Sequence, residues 1–156
     1  MLTVRPIEQK DAQACTEIVN HTISLGGTTA YEEPFSVDGF DQHYRKGTAL
    51  CFVVERAGRV VGFQGLFDVG EGVLSVGSFT DQQTPVKGAG RALIEHSVKA
   101  AREQGFQSII AKITSDNASG LGYYSRSGFA DDYVIENDHQ RSDGRWVDRI
   151  VKRMVL

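Results

Sequence analysis

The sequence predicts an α/β (α+β) fold, a mixed and twisted central sheet with helices on both faces, and three observations carry that prediction. Apolar residues recur at helical spacing over residues 9–23 and again over 90–104. Between those segments, Leu50–Arg56, Val60–Asp68 and Val73–Thr80 are β-branched-rich runs separated by glycine-containing turns. A glycine-bearing loop then leads from the third run through the second helix into another apolar run, Phe106–Thr114. That is a strand-helix-strand unit.

Each element has its own justification. Leu2 to Arg5 reads as a short strand ended by Pro6. Ala12, Cys15, Ile18, Val19, Thr22 and Ile23 share one helical face, and Gly26-Gly27 breaks the helix. Thr28 to Phe35 is an irregular polar-aromatic stretch. Val37, Phe40 and Tyr44 mark a short second helix that Gly47 stops. Ala57-Gly58 turns the next two strands into an antiparallel hairpin, and the third extends the sheet as a meander.

Positions 90, 93, 94, 97, 98 and 101 are small or apolar and make the best-specified helix, with Gly105 as its stop. The crossover makes the strands on either side of it parallel. Ser115-Asp116-Asn117 offers N-caps for a fourth helix reaching about Arg126, closed by Gly128. Gly120 and Gly122 inside it each cost about 1 kcal/mol relative to alanine, so packing or a ligand must hold that helix. Phe129–Glu136 and Trp146–Met154 finish as strands joined by a polar loop, Asn137 to Gly144. The order is β-α-α-β-β-β-α-β-α-β-β, within one domain spanning residues 1–156.

Composition narrows the function. The 156 residues carry a net charge of −3 and no basic block, which argues against a nucleic-acid partner. No run is long enough to span a bilayer, and the N-terminus has no apolar core of a signal peptide, so a cytoplasmic location and no membrane partner are expected. Cys15 and Cys51 lie in apolar patterns without a His cluster and read as buried free thiols, so no metal is expected.

The chemistry concentrates at Val86-Lys87-Gly88-Ala89-Gly90-Arg91-Ala92. A glycine loop feeding a helix start exposes backbone N–H groups without Cβ atoms in the way, and the helix dipole adds partial positive charge. It is a place for a phosphate, with Lys87 or Arg91 as adjoining charges. The spacing is neither a complete G-x-G-x-x-G nor a P-loop.

Residues 78–92, together with Asn117 and Tyr124-Ser125-Arg126-Ser127-Gly128-Phe129, resemble the GCN5-related N-acetyltransferase (GNAT) superfamily. Asn20-His21-Thr22-Ile23, Thr28 to Phe35 and Gly144 to Asp148 resemble its phosphinothricin and methionine sulfoximine acetyltransferase branch. The resemblance implies acetyl-CoA as co-substrate, a small-molecule amine acceptor and, as relatives there often are, a homodimer. It places Ser78, Phe79 and Thr80 on one wall of the slot for the cofactor and Asn117 on the other, where Asn117 is also a helix cap. It makes Tyr124 the acid that protonates the departing thiolate, with a core tyrosine as the plain alternative. Tyr31, Glu32, Glu33, Phe35 and Trp146 fall in segments expected to line the acceptor pocket. Glu32, Glu33, Asp81, His96 and His139 are candidate bases, with none preferred, and His96 reads as a surface helix residue.

Two features depart from the pattern. Pro85 stands where the family has a basic or amide residue, and the arginine and aromatic residues that the branch uses near its substrate are not evident around Leu66 to Gly72. Two other readings therefore stay open: a protein N-terminal or lysine acetyltransferase, and a non-catalytic acyl-CoA sensor.

Overall fold

The layering follows from side-chain alternation along β2 (Leu50–Arg56). Cys51 and Val53 face one side and Phe52 and Val54 the other, and all four are buried. Each side of the sheet therefore needs helices of its own. On the first, α1 (Ala12–Leu25) and α2 (Val37–Phe40, continued by a π-helical turn Asp41–Arg45) close a core of Cys15, Val19, Phe40, Tyr44 and Phe63. On the second, α3 (Ala89–Glu103) and α4 (Ala118–Arg126) close a core that includes Leu74, Leu93, Ile109 and Tyr124.

The computed structural model describes residues 1–156. Its remaining strands are β1 (Leu2–Pro6), β3 (Arg59–Asp68), β4 (Val73–Thr80), β5 (Ser108–Thr114), β6 (Ala130–Gln140) and β7 (Trp146–Val155). They form one seven-stranded sheet in the order β1-β2-β3-β4-β5-β7-β6. All neighbours are antiparallel except β4 and β5, which α3 joins by crossing over.

That one parallel pair positions the site. β4 and β5 are in register only at Val73↔Ser108, Leu74↔Ile109 and Ser75↔Ile110. Beyond Ser75, β4 stays on β3 as far as Thr80, and β5 stays on β7 as far as Thr114. The strands part, and the facing edges of Val76–Thr80 and Ala111–Thr114 are left without a strand to pair with.

Several boundaries differ from the sequence reading for local reasons. The first helix opens as a 3-10 turn, Gln9–Asp11, because the Asp11 carboxylate accepts from the Glu8 N–H at 2.7 Å and from the Arg5 guanidinium at 2.8 Å. Phe106 and Gln107 stay outside β5, following the left-handed turn at Gly105 (φ +83°). The first half of the expected loop 137–144, as far as Gln140, is strand. A bulge at Asn137 (φ +48°) lets its N–H bond Asp148 at 2.9 Å, and pairing resumes at His139↔Val147. The turn itself is Arg141 to Arg145, closed by a 2.8 Å backbone bond. No helix is long and apolar enough to cross a membrane.

Candidate active site

A cleft of about 1210 Å³ begins at the N-terminus of α3, passes along the gap between β4 and β5, and ends among aromatic side chains beside α2. At its first end Gly88 has φ +87°, a conformation glycine adopts without penalty. No side chain caps α3; its Ala89 N–H bonds the Val86 carbonyl at 3.3 Å, and the Gly90 and Arg91 N–H groups remain available to an anion. Val86, Gly88, Ala89, Gly90 and Arg91 line the cleft. Lys87 is exposed and Ala92 packs against the core, and neither reaches the lining. Arg91 is tied to Glu95 at 2.8 Å.

The walls of the gap come from both strands and from α4. Ser78, Phe79 and Thr80 line one side and Asn117 the other. Asn117 also caps α4, its carboxamide oxygen accepting from the Gly120 N–H at 2.9 Å. The cap reading and the lining reading of Asn117 thus both describe the same side chain.

Tyr123 and Tyr124 both reach the cleft, with different surroundings. Tyr123 donates its hydroxyl hydrogen to the Gly90 carbonyl at 2.7 Å and accepts from the Gln64 amide at 3.2 Å. Tyr124 is buried against Phe129 and beside Ser78. Burial pushes its phenol well up, opposed only in part by the Ser78 hydroxyl, so it is neutral at pH 7 and holds a proton to give. Gln64, fully buried on β3, donates to Ser78 from the strand position directly opposite. That amide escaped the sequence reading, since an isolated glutamine in an apolar strand carries no motif.

The other end of the cleft is built by Tyr31, His43, Tyr44, Phe67, Thr28 and Arg149. Tyr31 bonds His43 Nε2 at 3.0 Å and the Tyr44 hydroxyl at 2.8 Å. Phe35 does not line the cleft; it packs edge-on against Tyr31 at 4.9 Å and fixes that ring. His43, Tyr44, Phe67 and Arg149 are lining residues the sequence reading missed, and Phe67 supplies an aromatic ring from the stretch 66–72 where none was expected. Tyr44 was legible there only as an apolar helix position, and the π-helical turn that aims His43 has no sequence signature.

The remaining candidates stand elsewhere. Glu32 is a brace: its carboxylate accepts from Ser142 at 2.7 Å, His139 at 2.8 Å and Arg141 at 2.9 Å. His139 first, then Ser142 and Arg141, hold it down to about 2. Glu33 is exposed and Trp146 is 57% exposed on β7, both off the cleft. Asp81 accepts from Arg59 at 2.7 Å; burial opposes its charge, but the Thr84 N–H, Arg59 and the Gln83 N–H outweigh it and keep it low. His96 is half-buried and meets Phe52 at 4.6 Å, so it is a core-edge residue rather than the surface residue expected.

A mixed sheet parted between its fourth and fifth strands, with an uncapped glycine-led helix at one end of the gap and a buried neutral tyrosine along it, defines a protein built for acyl transfer. The chain belongs to the acetyltransferase (GNAT) family, whose model matches residues 16–129, and it is an acetyltransferase. It is 28% identical over 136 residues to the L-methionine sulfoximine/L-methionine sulfone acetyltransferase of Pseudomonas aeruginosa, covering 80% of this chain and 78% of that one. The fold matches a phosphinothricin acetyltransferase from Sinorhizobium meliloti in complex with AcCoA, with a TM-score of 0.88 at 21% identity over 99% of this chain and 88% of that one. It also matches a ribosomal-protein-alanine N-acetyltransferase from Brucella melitensis, with a TM-score of 0.86 at 23% identity over 99% of both chains.

Proposed function

We propose that this protein is an N-acetyltransferase that moves an acetyl group from acetyl-CoA to the primary amine of a small, amino-acid-like acceptor, by direct attack in a ternary complex. The observation that carries the reading is the single cleft joining the α3 N-terminus to the aromatic end beside α2 through the parted strands. The co-substrate supplies an activated acetyl group as a thioester. The N–H groups of Gly88, Gly90 and Arg91 would hold its diphosphate, and the unpaired edge of Val76–Thr80 would bond its amide arm as an added strand does. Tyr124 gives its proton to the departing sulfur and Ser78 orients it.

Arg149 supports an acceptor that carries a carboxylate. Its Nε is buried and makes no hydrogen bond, and its nearest carboxylate, Asp138, stands 3.9 Å away. A guanidinium that lines a cleft with no hydrogen-bonded partner of its own suits a carboxylate ligand. The named activity of the Pseudomonas aeruginosa relative, on methionine sulfoximine and sulfone, agrees with such an acceptor.

Release of free thiol from acetyl-CoA, followed over a panel of amines that includes L-methionine sulfoximine, tests the reading. Turnover on amino-acid-like amines sustains it. Turnover confined to peptide N-termini or lysines, or cofactor binding without turnover on any amine, overturns it.

A further inference from the structure

An amine near pKa 10 arrives as an ammonium ion and must shed a proton before its nitrogen can attack. The acidic side chains near the cleft are already committed: Glu32 to Arg141 and His139, Asp81 to Arg59, Glu95 to Arg91. What the acceptor end offers instead is a row of three side chains, Tyr44, Tyr31 and His43, linked at 2.8 and 3.0 Å.

The direction of that row follows from burial. Tyr44 is wholly buried and Tyr31 is its hydroxyl's hydrogen-bond partner, so the Tyr44 O–H donates to the Tyr31 oxygen. The Tyr31 O–H is then free to donate to His43 Nε2. Tyr31 is half-buried and faces the cleft, while His43 is exposed and has a route to solvent.

Resting on the acetyl-transfer reading, we propose that Tyr31 is the group that takes the acceptor's proton and His43 the group that receives it. As the Tyr31 hydrogen passes to His43 Nε2, the Tyr31 oxygen takes a proton from the acceptor ammonium, and His43 returns that charge to solvent. The freed nitrogen lone pair forms the bond to the acetyl carbon while the carbon–sulfur bond breaks. The nitrogen sheds its second proton as the amide forms, and the Tyr124 oxygen, having given its own proton to the departing sulfur, takes one up, so the net release is the single proton His43 passes to solvent. Throughout, Tyr44 steadies the Tyr31 oxygen by its donated hydrogen bond, and the Arg149 charge favours negative charge there.

The surroundings suit these tasks. His43 is faced by Tyr31 and Phe35 from the 26–36 loop, Phe67 from β3 and Tyr44 on its own helix. Asp41 and Arg45, on the same helix, bond each other at 2.6 Å. With no carboxylate on the ring, the partial desolvation by these aromatic neighbours lowers its basicity and keeps it neutral at pH 7, while its exposed edge stays open to solvent. Burial raises Tyr31, with Tyr44 and then Arg149 acting against it.

The test is the pH dependence of kcat/KM for L-methionine sulfoximine, or for the best amine of the panel, in wild type, Tyr31→Phe and His43→Gln. The wild-type profile is expected to be flat from neutral pH upward, because the site removes the proton itself. Each variant is expected to fall about 1000-fold at pH 7 for an amine of pKa near 10 and to climb tenfold per pH unit, following the free-amine fraction until it meets the wild type near the amine's own pKa. A deficit that stays the same at every pH, in variants that bind coenzyme A normally, overturns the relay and leaves acetyl transfer intact. A wild type that releases no thiol with any amine overturns the acetyl-transfer reading itself.

Discussion

Tyr123 donates its hydroxyl hydrogen to the Gly90 carbonyl at 2.7 Å and thereby ties α4 to the first turn of α3. Its neighbour Tyr124 makes no such tie, being buried beside Ser78 with its proton retained. Adjacent helical residues point about 100° apart, so one side chain can brace the glycine loop while the other serves the chemistry.

The two tyrosines therefore respond differently to loss of the hydroxyl. Tyr123→Phe should cost about 1 kcal/mol of stability, read by urea denaturation, since one buried bond is lost. Tyr124→Phe should lower kcat about 100-fold under conditions where chemistry limits, with little change in affinity for coenzyme A. Unchanged kcat in the second variant removes Tyr124 from the reaction.

Glu32 and Arg141 give a stability prediction with a sign. Glu32 has its folded pKa depressed from 4.5 to about 2, so the stability it contributes is complete above the unfolded value and is lost as pH falls from about 4.5 to about 2. Glu32→Gln should flatten the acid limb of the wild-type stability curve over that window. Arg141, with only 5% of its side chain exposed, holds both Glu32 and Asp116, and Arg141→Met should cost about 3 kcal/mol. Equal acid limbs in wild type and Glu32→Gln would refute the brace.

This brace shows where sequence reading stops. The glycine loop, the crossover helix and the strands on either side of it were legible because each rests on local pattern: φ-permissive glycines, a 3.6-residue period, β-branched runs; the parting of β4 from β5 was implied only by the family resemblance. Glu32 lay in a segment whose family resemblance points to the acceptor, yet its partners His139 and Arg141 come from more than 100 positions away. A lone carboxylate in sequence does not tell whether an arginine will meet it. The same holds for Arg149, whose neighbour Tyr31 lies in an irregular stretch, and for Gln64, whose role depends on the β3–β4 register.

Arg149→Met should raise KM for a carboxylate-bearing amine about 30-fold, the loss of a charge-assisted bond of about 2 kcal/mol. KM for acetyl-CoA should hold. An amine without a carboxylate should show no such penalty, and an equal penalty on both amines would count against the anchor.

Gly65 supports the same end of the cleft from below. A Cβ there would stand 2.7 Å from the Tyr44 ring, which is wholly buried. Gly65→Ala should therefore displace Tyr44 and cost about 1–3 kcal/mol on denaturation. No loss of stability would mean that the ring is not seated as described.

The most direct measurement is isothermal titration of coenzyme A into folded wild-type protein. The cleft from Gly88 to Thr80 predicts saturable binding of one molecule per chain, weakened by added salt as expected for a diphosphate held partly by charge. Folded protein that takes up no coenzyme A would contradict the assignment of this cleft.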